Sequence, residues 1–207
     1  MLSTAWRQTT ILNDDFEAHM HQSAADLLAD WILQRCESPI THLKLQKLAF
    51  YGYGALLAYG REEELGGELI FEPWEHGPVC RAIWRRFKDV DASPIQPASA
   101  APSPLRLSSE SESLLRDVLE IYGSLDAWSL RQQSHLEKPW RDAYQARRQR
   151  IDGNELREFF KEKFLSTTFR YPEYFGGSSS LSLDGIPQAR FDGLRGLASH
   201  LRTSPAP

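Results

Sequence analysis

The chain has 207 residues, of which 24 are Lys or Arg and 28 are Asp or Glu, for a net charge of −4. That length is enough for one ordinary domain with a real core, and the acidic balance excludes a nucleic-acid binder driven by overall charge. There is no apolar leader core and no apolar run long enough to span a bilayer, so a soluble, cytoplasmic protein is expected.

Residues 1–22 are polar and mixed, and read as an N-terminal arm. Residues 23–175 are expected to form one compact, mainly α domain. From the linker-like GGSSSLSLDG onward, residues 176–207 read as a C-terminal extension that is partly disordered or ordered by a partner. Ser23 with Asp26 opens a helix as a capping box, and Leu27, Leu28, Trp31 and Ile32 form its buried face. The loop from Glu37 to Ile40 is too short to send this helix anywhere but onto the next one. Cys36 and Cys80 fall in helical patterns and read as free buried thiols.

Thr41 caps the next helix. Leu45, Leu48, Ala49, Gly52, Ala55, Leu56 and Tyr59 recur at three- and four-residue steps, and Leu43, Phe50, Tyr51, Tyr53 and Leu57 widen that face. A helix apolar over so much of its circumference lies inside the domain. Gly52 and Gly54 each cost about 1 kcal/mol against Ala, and mark a close approach by another backbone. Gly60 stops the helix, and Glu62 to Glu64 reads as a solvated turn. A small β element, a short strand or hairpin, follows: Glu68 to Glu72 alternates as a strand, Pro73 ends it, and Gly77 and Pro78 turn the chain into a new helix. Val79, Ile83, Trp84 and Phe87 give that helix an apolar stripe, and Arg81, Arg85, Arg86 and Lys88 a basic face.

Residues 91–104, rich in Ala, Ser and Pro, read as an exposed flexible loop. Four helices are then expected to fold back on the first half. Ser109 to Tyr122 buries Leu114, Leu115, Val118, Leu119 and Ile121 and ends at Gly123. Asp126 caps a second helix with Trp128 and Leu130, ending near His135. Pro139 opens a third with Trp140, Ala143 and Tyr144, and Arg147, Arg148 and Arg150 suit the negative end of its dipole. Asp152 caps a fourth with Leu156, Phe159, Phe160 and Phe164 inside.

Few residues suggest chemistry. His76 beside Glu75 has the makings of a general base, but a histidine locking the turn by hydrogen bonds is the expected role. His76 with Cys80 lacks the further ligands of a zinc site and the orienting acid of a nucleophile pair, so no metal and no cofactor are expected. Lys44 and Lys47 must reach a rim or pair with acids if their helix is buried. A groove edged by them is a place for a bound peptide, and plain snorkelling is the alternative. The arginine groups could hold phosphates, but there is no Gly-rich loop and no helix-turn-helix signature, so nucleic acid is not an expected partner. Partner-contact candidates are therefore Lys44, Lys47, Trp84, Arg85, Trp128 and Tyr144, with the tail after Gly176.

The stretch LKLQKLAFYGYGALLAYG followed by FEPWEHGPV resembles the Panacea domain family, which includes phage-associated proteins and SocA-type antitoxins. The likeness rests on Leu43 to Tyr51, with Leu45, Lys47, Leu48 and Tyr51 in the motif, and on Trp74, His76, Gly77, Pro78 and Val79. Ser134 and His135, with Pro139 and Trp140, resemble a later element of the family, and the whole likeness covers roughly residues 23–164. It implies a non-enzymatic antitoxin that neutralises a cognate protein toxin, encoded next door, by direct contact. In the SocA type it also implies an adaptor to a cytoplasmic protease. Its motif residues are then architecture, and the working surface lies outward from them. The alternatives are a hydrolase-type enzyme with His76 and Glu75 in a corner pocket, and a phage-associated adaptor without a toxin. The oligomeric state stays open.

Overall fold

The computed structural model describes residues 23–90, 92–96 and 105–165, so the expected arm and C-terminal extension lie outside the described residues. Helix α1 (Ala24–Arg35) starts where the Ser23 hydroxyl accepts the Asp26 N–H and the Asp26 carboxylate accepts the Ser23 N–H. Helix α2 (His42–Tyr59) is capped by Thr41 and ended by Gly60 at φ 66°. Every residue of α2 from Lys44 to Ala58 is buried. A 3-10 turn (Glu62–Leu65) leads to an antiparallel hairpin of β1 (Phe71–Trp74) and β2 (Gly77–Cys80). Then come α3 (Arg81–Phe87), α4 (Ser109–Tyr122), α5 (Ala127–Leu136), α6 (Lys138–Gln145) and α7 (Gly153–Leu165).

The fold is mainly α with one small sheet, and α2 is its axle: α1, α4, α5, α7 and β2 all pack on it. Phe50 meets Tyr51, Phe71 and Phe160 edge-on, with centroids 5.4, 5.3 and 5.2 Å away. Tyr51 stacks flat on Tyr122 at 4.1 Å. The glycines of α2 admit side chains and not another backbone, contrary to the sequence reading. A Cβ on Gly54 would sit 2.4 Å from the Phe160 ring, and one on Gly52 would sit 3.2 Å from Leu115 Cδ2.

Three local expectations are corrected. Pro73 does not end a strand and Pro78 does not open a helix: both lie inside the hairpin, directly opposite each other. The reason is the ladder's alternation. A two-residue loop closes on a hydrogen-bonded pair, here Trp74 and Gly77, so the next pair needs no N–H pointing inward, and two prolines fit there. The acidic run is not a solvated turn: Glu64 accepts the N–H and hydroxyl of Ser108 at 2.7 and 2.9 Å, and Glu62 pairs with Arg157 at 2.6 Å. The loop after α3 is anchored in part, because Ile95 is buried and its N–H donates to the Ile40 carbonyl at 2.8 Å. Residues 97–104 lie outside the described residues.

Candidate interaction surface

The polar residues of α2 fasten the hairpin. On strand β2, the groups not used by the ladder are those of the non-hydrogen-bonded pairs. Gln46 takes the Cys80 N–H at 2.8 Å and returns a bond to the Cys80 carbonyl at 3.4 Å. Lys47 Nζ donates to the Pro78 carbonyl at 2.8 Å. On the other strand, the Phe71 carbonyl accepts the Ile151 N–H at 2.8 Å. Gly77 sits at φ 94°, and a Cβ there would fall 2.5 Å from Ser134 Oγ and 2.9 Å from Lys47 Cε. Only glycine satisfies both the backbone shape and the space.

Neither lysine edges a groove. Lys47 is 0% exposed, and burial, with the charge of Arg131 second, lowers its pKa to about 7. Lys44 is also buried, and its ammonium donates to the Gly123 carbonyl at 2.6 Å and to Ser38 Oγ at 2.8 Å, closing the end of α4. Because α2 is covered on all sides, there is no rim within reach, and both ammonium groups turn to backbone carbonyls instead.

Behind the Tyr51–Tyr122 stack lies a second polar knot that the sequence reading missed. Glu137 is buried and its Oε1 accepts from Tyr51 Oη at 3.1 Å and from Gln133 Nε2 at 3.1 Å. Lys163 Nζ stands 3.2 Å from the same oxygen. Burial, and then the nearby carboxylate, push both tyrosine phenols well above their usual range. The only sequence hint was an acid set between His135 and Pro139.

The hairpin tip faces outward. Glu75 and His76 form its exposed two-residue loop, so the corner pocket that the enzyme alternative needs is not formed around them. His76 Nδ1 accepts from Arg131 Nε at 3.2 Å, and Arg131 Nη2 reaches the Glu75 carbonyl at 3.5 Å. Cys80 lies at the far end of β2, buried, with its thiol pKa raised by that burial. Among the described residues, no group of three His, Cys, Asp or Glu is placed to hold a metal. A cavity of about 600 Å3 lies elsewhere, between the 3-10 turn and the start of α7, lined in part by Glu62, Glu68 and Arg157.

Next to the tip, α5 and α6 display aromatic rings. His135 stacks on Trp140 at 4.0 Å, and Trp140 stacks on Tyr144 at 4.9 Å. The Trp140 indole N–H donates to the Trp74 carbonyl at 3.1 Å. Burial first, then the charges of Arg131, Lys47 and His76, hold the His135 pKa down to about 4, so its ring is neutral at pH 7. The Arg131 guanidinium lies 4.6 Å over the Trp128 ring. Trp128 is 54% exposed and Tyr144 43%. These two candidates thus fall on one aromatic strip. Trp84 and Arg85 lie on α3 instead, Trp84 half-buried against Trp74 at 5.4 Å and Arg85 exposed. Half of the arginines flagged for phosphate are engaged: Arg81 grips Glu72 at 2.7 and 2.6 Å, Arg86 meets buried Asp30 at 2.6 Å, and Arg148 meets Glu155 at 2.8 Å.

Residues 45–141 match the family model described as Antitoxin SocA-like, Panacea domain. No curated protein and no solved structure matches the chain. The matched segment runs from the second turn of α2 into α6, and leaves α1 and α7 outside it. No helix among the described residues is long and apolar enough to cross a membrane.

Proposed function

We propose, from the match of residues 45–141 to the SocA-like antitoxin, Panacea domain family model, that the chain neutralises a cognate protein toxin by direct contact, covering the toxin's active site or locking it inactive. One observation supports a binding role above all. The polar motif residues Gln46 and Lys47 are spent inward on the hairpin, while α5 and α6 turn Trp128, Leu136 and Tyr144 outward. Large apolar side chains left in water on a well-packed frame are the usual anchors of a protein interface. The hydrolase alternative needs His76 and Glu75 in a pocket, and they form an exposed loop whose histidine is occupied by Arg131.

The test is co-expression with the neighbouring genes. A neighbouring product that arrests growth alone, and is relieved by and co-purifies with this chain, is the expected result. If no neighbour is toxic, or the chain fails to restore growth, the antitoxin reading falls. Delivery to a cytoplasmic protease, which the SocA-type likeness implies, would shorten the toxin's half-life in the same cells.

A further inference from the structure

Four basic side chains from three elements converge at the hairpin tip. Arg131 and His76 touch at 3.2 Å, and the charges of Arg131, Lys47 and His76 all bear on His135. None of the four has an ion-pair partner among the described residues, and Glu75 offers Arg131 only its carbonyl. Elsewhere on the surface Arg35, Arg61, Arg81, Arg86, Arg148 and Arg157 each face a carboxylate. Arg85, Arg106, Arg147 and Arg150 likewise form no ion pair among the described residues, but of these five arginines only Arg131 lies over an aromatic ring. The Arg131 guanidinium lies over an exposed tryptophan, its Nε bonds the His76 imidazole and its Nη1 bonds the Gln132 amide oxygen at 3.2 Å, so none of its partners is a carboxylate. A planar guanidinium in that setting is a receptor for a carboxylate, with which it forms short charge-assisted bonds.

We propose that the outward strip of α5 and the hairpin tip is where the toxin docks, and that it receives an acidic segment of that toxin. A carboxylate would lie on Arg131 and His76, with the apolar neighbours of that acid over Trp128. This inference rests on the antitoxin reading. The rest of the strip suits the same occupant: Tyr144, 43% exposed, ends the stack of His135, Trp140 and Tyr144 and provides an apolar edge. An interface with a polar centre set among aromatic anchors concentrates its binding energy in few residues.

The experiment measures binding of this chain to the purified toxic neighbour by calorimetry, with growth rescue in parallel. Trp128→Ala and Arg131→Glu should each weaken binding roughly 30-fold or more, the level of a hot-spot residue. Arg106→Glu, the same charge change at an exposed site just before α4 and outside the strip, should leave binding within about 3-fold of wild type. Unchanged thermal midpoints show that each variant is folded. Wild-type affinity should fall as NaCl is raised, and Arg131→Glu should flatten that dependence. If both strip variants bind and rescue like wild type, the docking surface lies elsewhere while the antitoxin reading stands. If Trp128→Ala alone weakens binding, the segment is apolar and the acidic partner is wrong. If wild type itself neither binds nor rescues, the antitoxin reading fails and takes this inference with it.

Discussion

Lys47 bears a cost that its neighbours only partly offset. Its pKa in the folded chain is about 7, against about 10.4 when unfolded. Between these values the unfolded chain binds the extra proton, so stability at this position is full above about pH 10 and is lost as the pH falls toward about 7. Wild-type stability should therefore rise by about 2 kcal/mol from pH 7 to pH 9, at ~1.36 kcal/mol per pH unit once the lysine is neutral. Lys47→Met removes that rise, and leaves the Pro78 carbonyl unpaired at a cost of about 1–3 kcal/mol. Urea unfolding of both proteins at pH 7, 8 and 9 checks this. A variant whose stability climbs with pH as steeply as wild type would assign the effect to another group.

At the scale of elements, α2 and α7 meet through Gly54 and the Phe160 ring. Gly54→Ala gains about 1 kcal/mol of helix propensity but forces the ring away, an overpacking cost of about 1–3 kcal/mol. Here the added Cβ would be 2.4–2.5 Å from three atoms of the Phe160 ring, too close for a small adjustment, which puts the overpacking cost in the upper part of that range. The net expectation is a loss of about 1–2 kcal/mol. Gly52→Ala, facing only the end of the flexible Leu115 side chain, should stay within about 1 kcal/mol of wild type. Chemical denaturation of the two variants separates them, and equal losses would mean that the ring contact is not the cause. The same elements show what was legible in the sequence. Caps are local chemistry, so Ser23, Thr41, Asp126 and Asp152 mark their helices correctly. The hairpin was misread because proline breaks strands on average, and only the cross-strand register shows Pro73 and Pro78 opposite each other at a pair that needs no donors. The inward path of Lys47 was hidden for a related reason: its acceptor is a backbone carbonyl 31 residues away, which no side-chain pattern announces. Helical spacing could group Trp128, Arg131 and His135 on one face of α5, but only the folded arrangement brings His76 against Arg131.

At the scale of the whole molecule, the family match is smaller than the folding unit. Residues 45–141 include most of α2 but neither α1 nor α7. Yet α7 fills one side of α2 with Leu156, Phe160 and Phe164, each buried, and the chain leading into it donates the Ile151 N–H to β1. Burying three such side chains is worth roughly 5–9 kcal/mol at ~1.5–3 kcal/mol each, which matches the whole stability of a typical domain, about 5–15 kcal/mol. Lys163 adds its ion pair to buried Glu137, and without it that carboxylate keeps only Tyr51 and Gln133 against the cost of burial. A chain ending at residue 152 should consequently lose cooperative unfolding and bind a hydrophobic dye. A chain ending at residue 165 should keep a single sharp transition by circular dichroism. A cooperative melt from the shorter chain would show that α2 closes its core without α7, and that the Phe160 contact with Gly54 is dispensable to the fold.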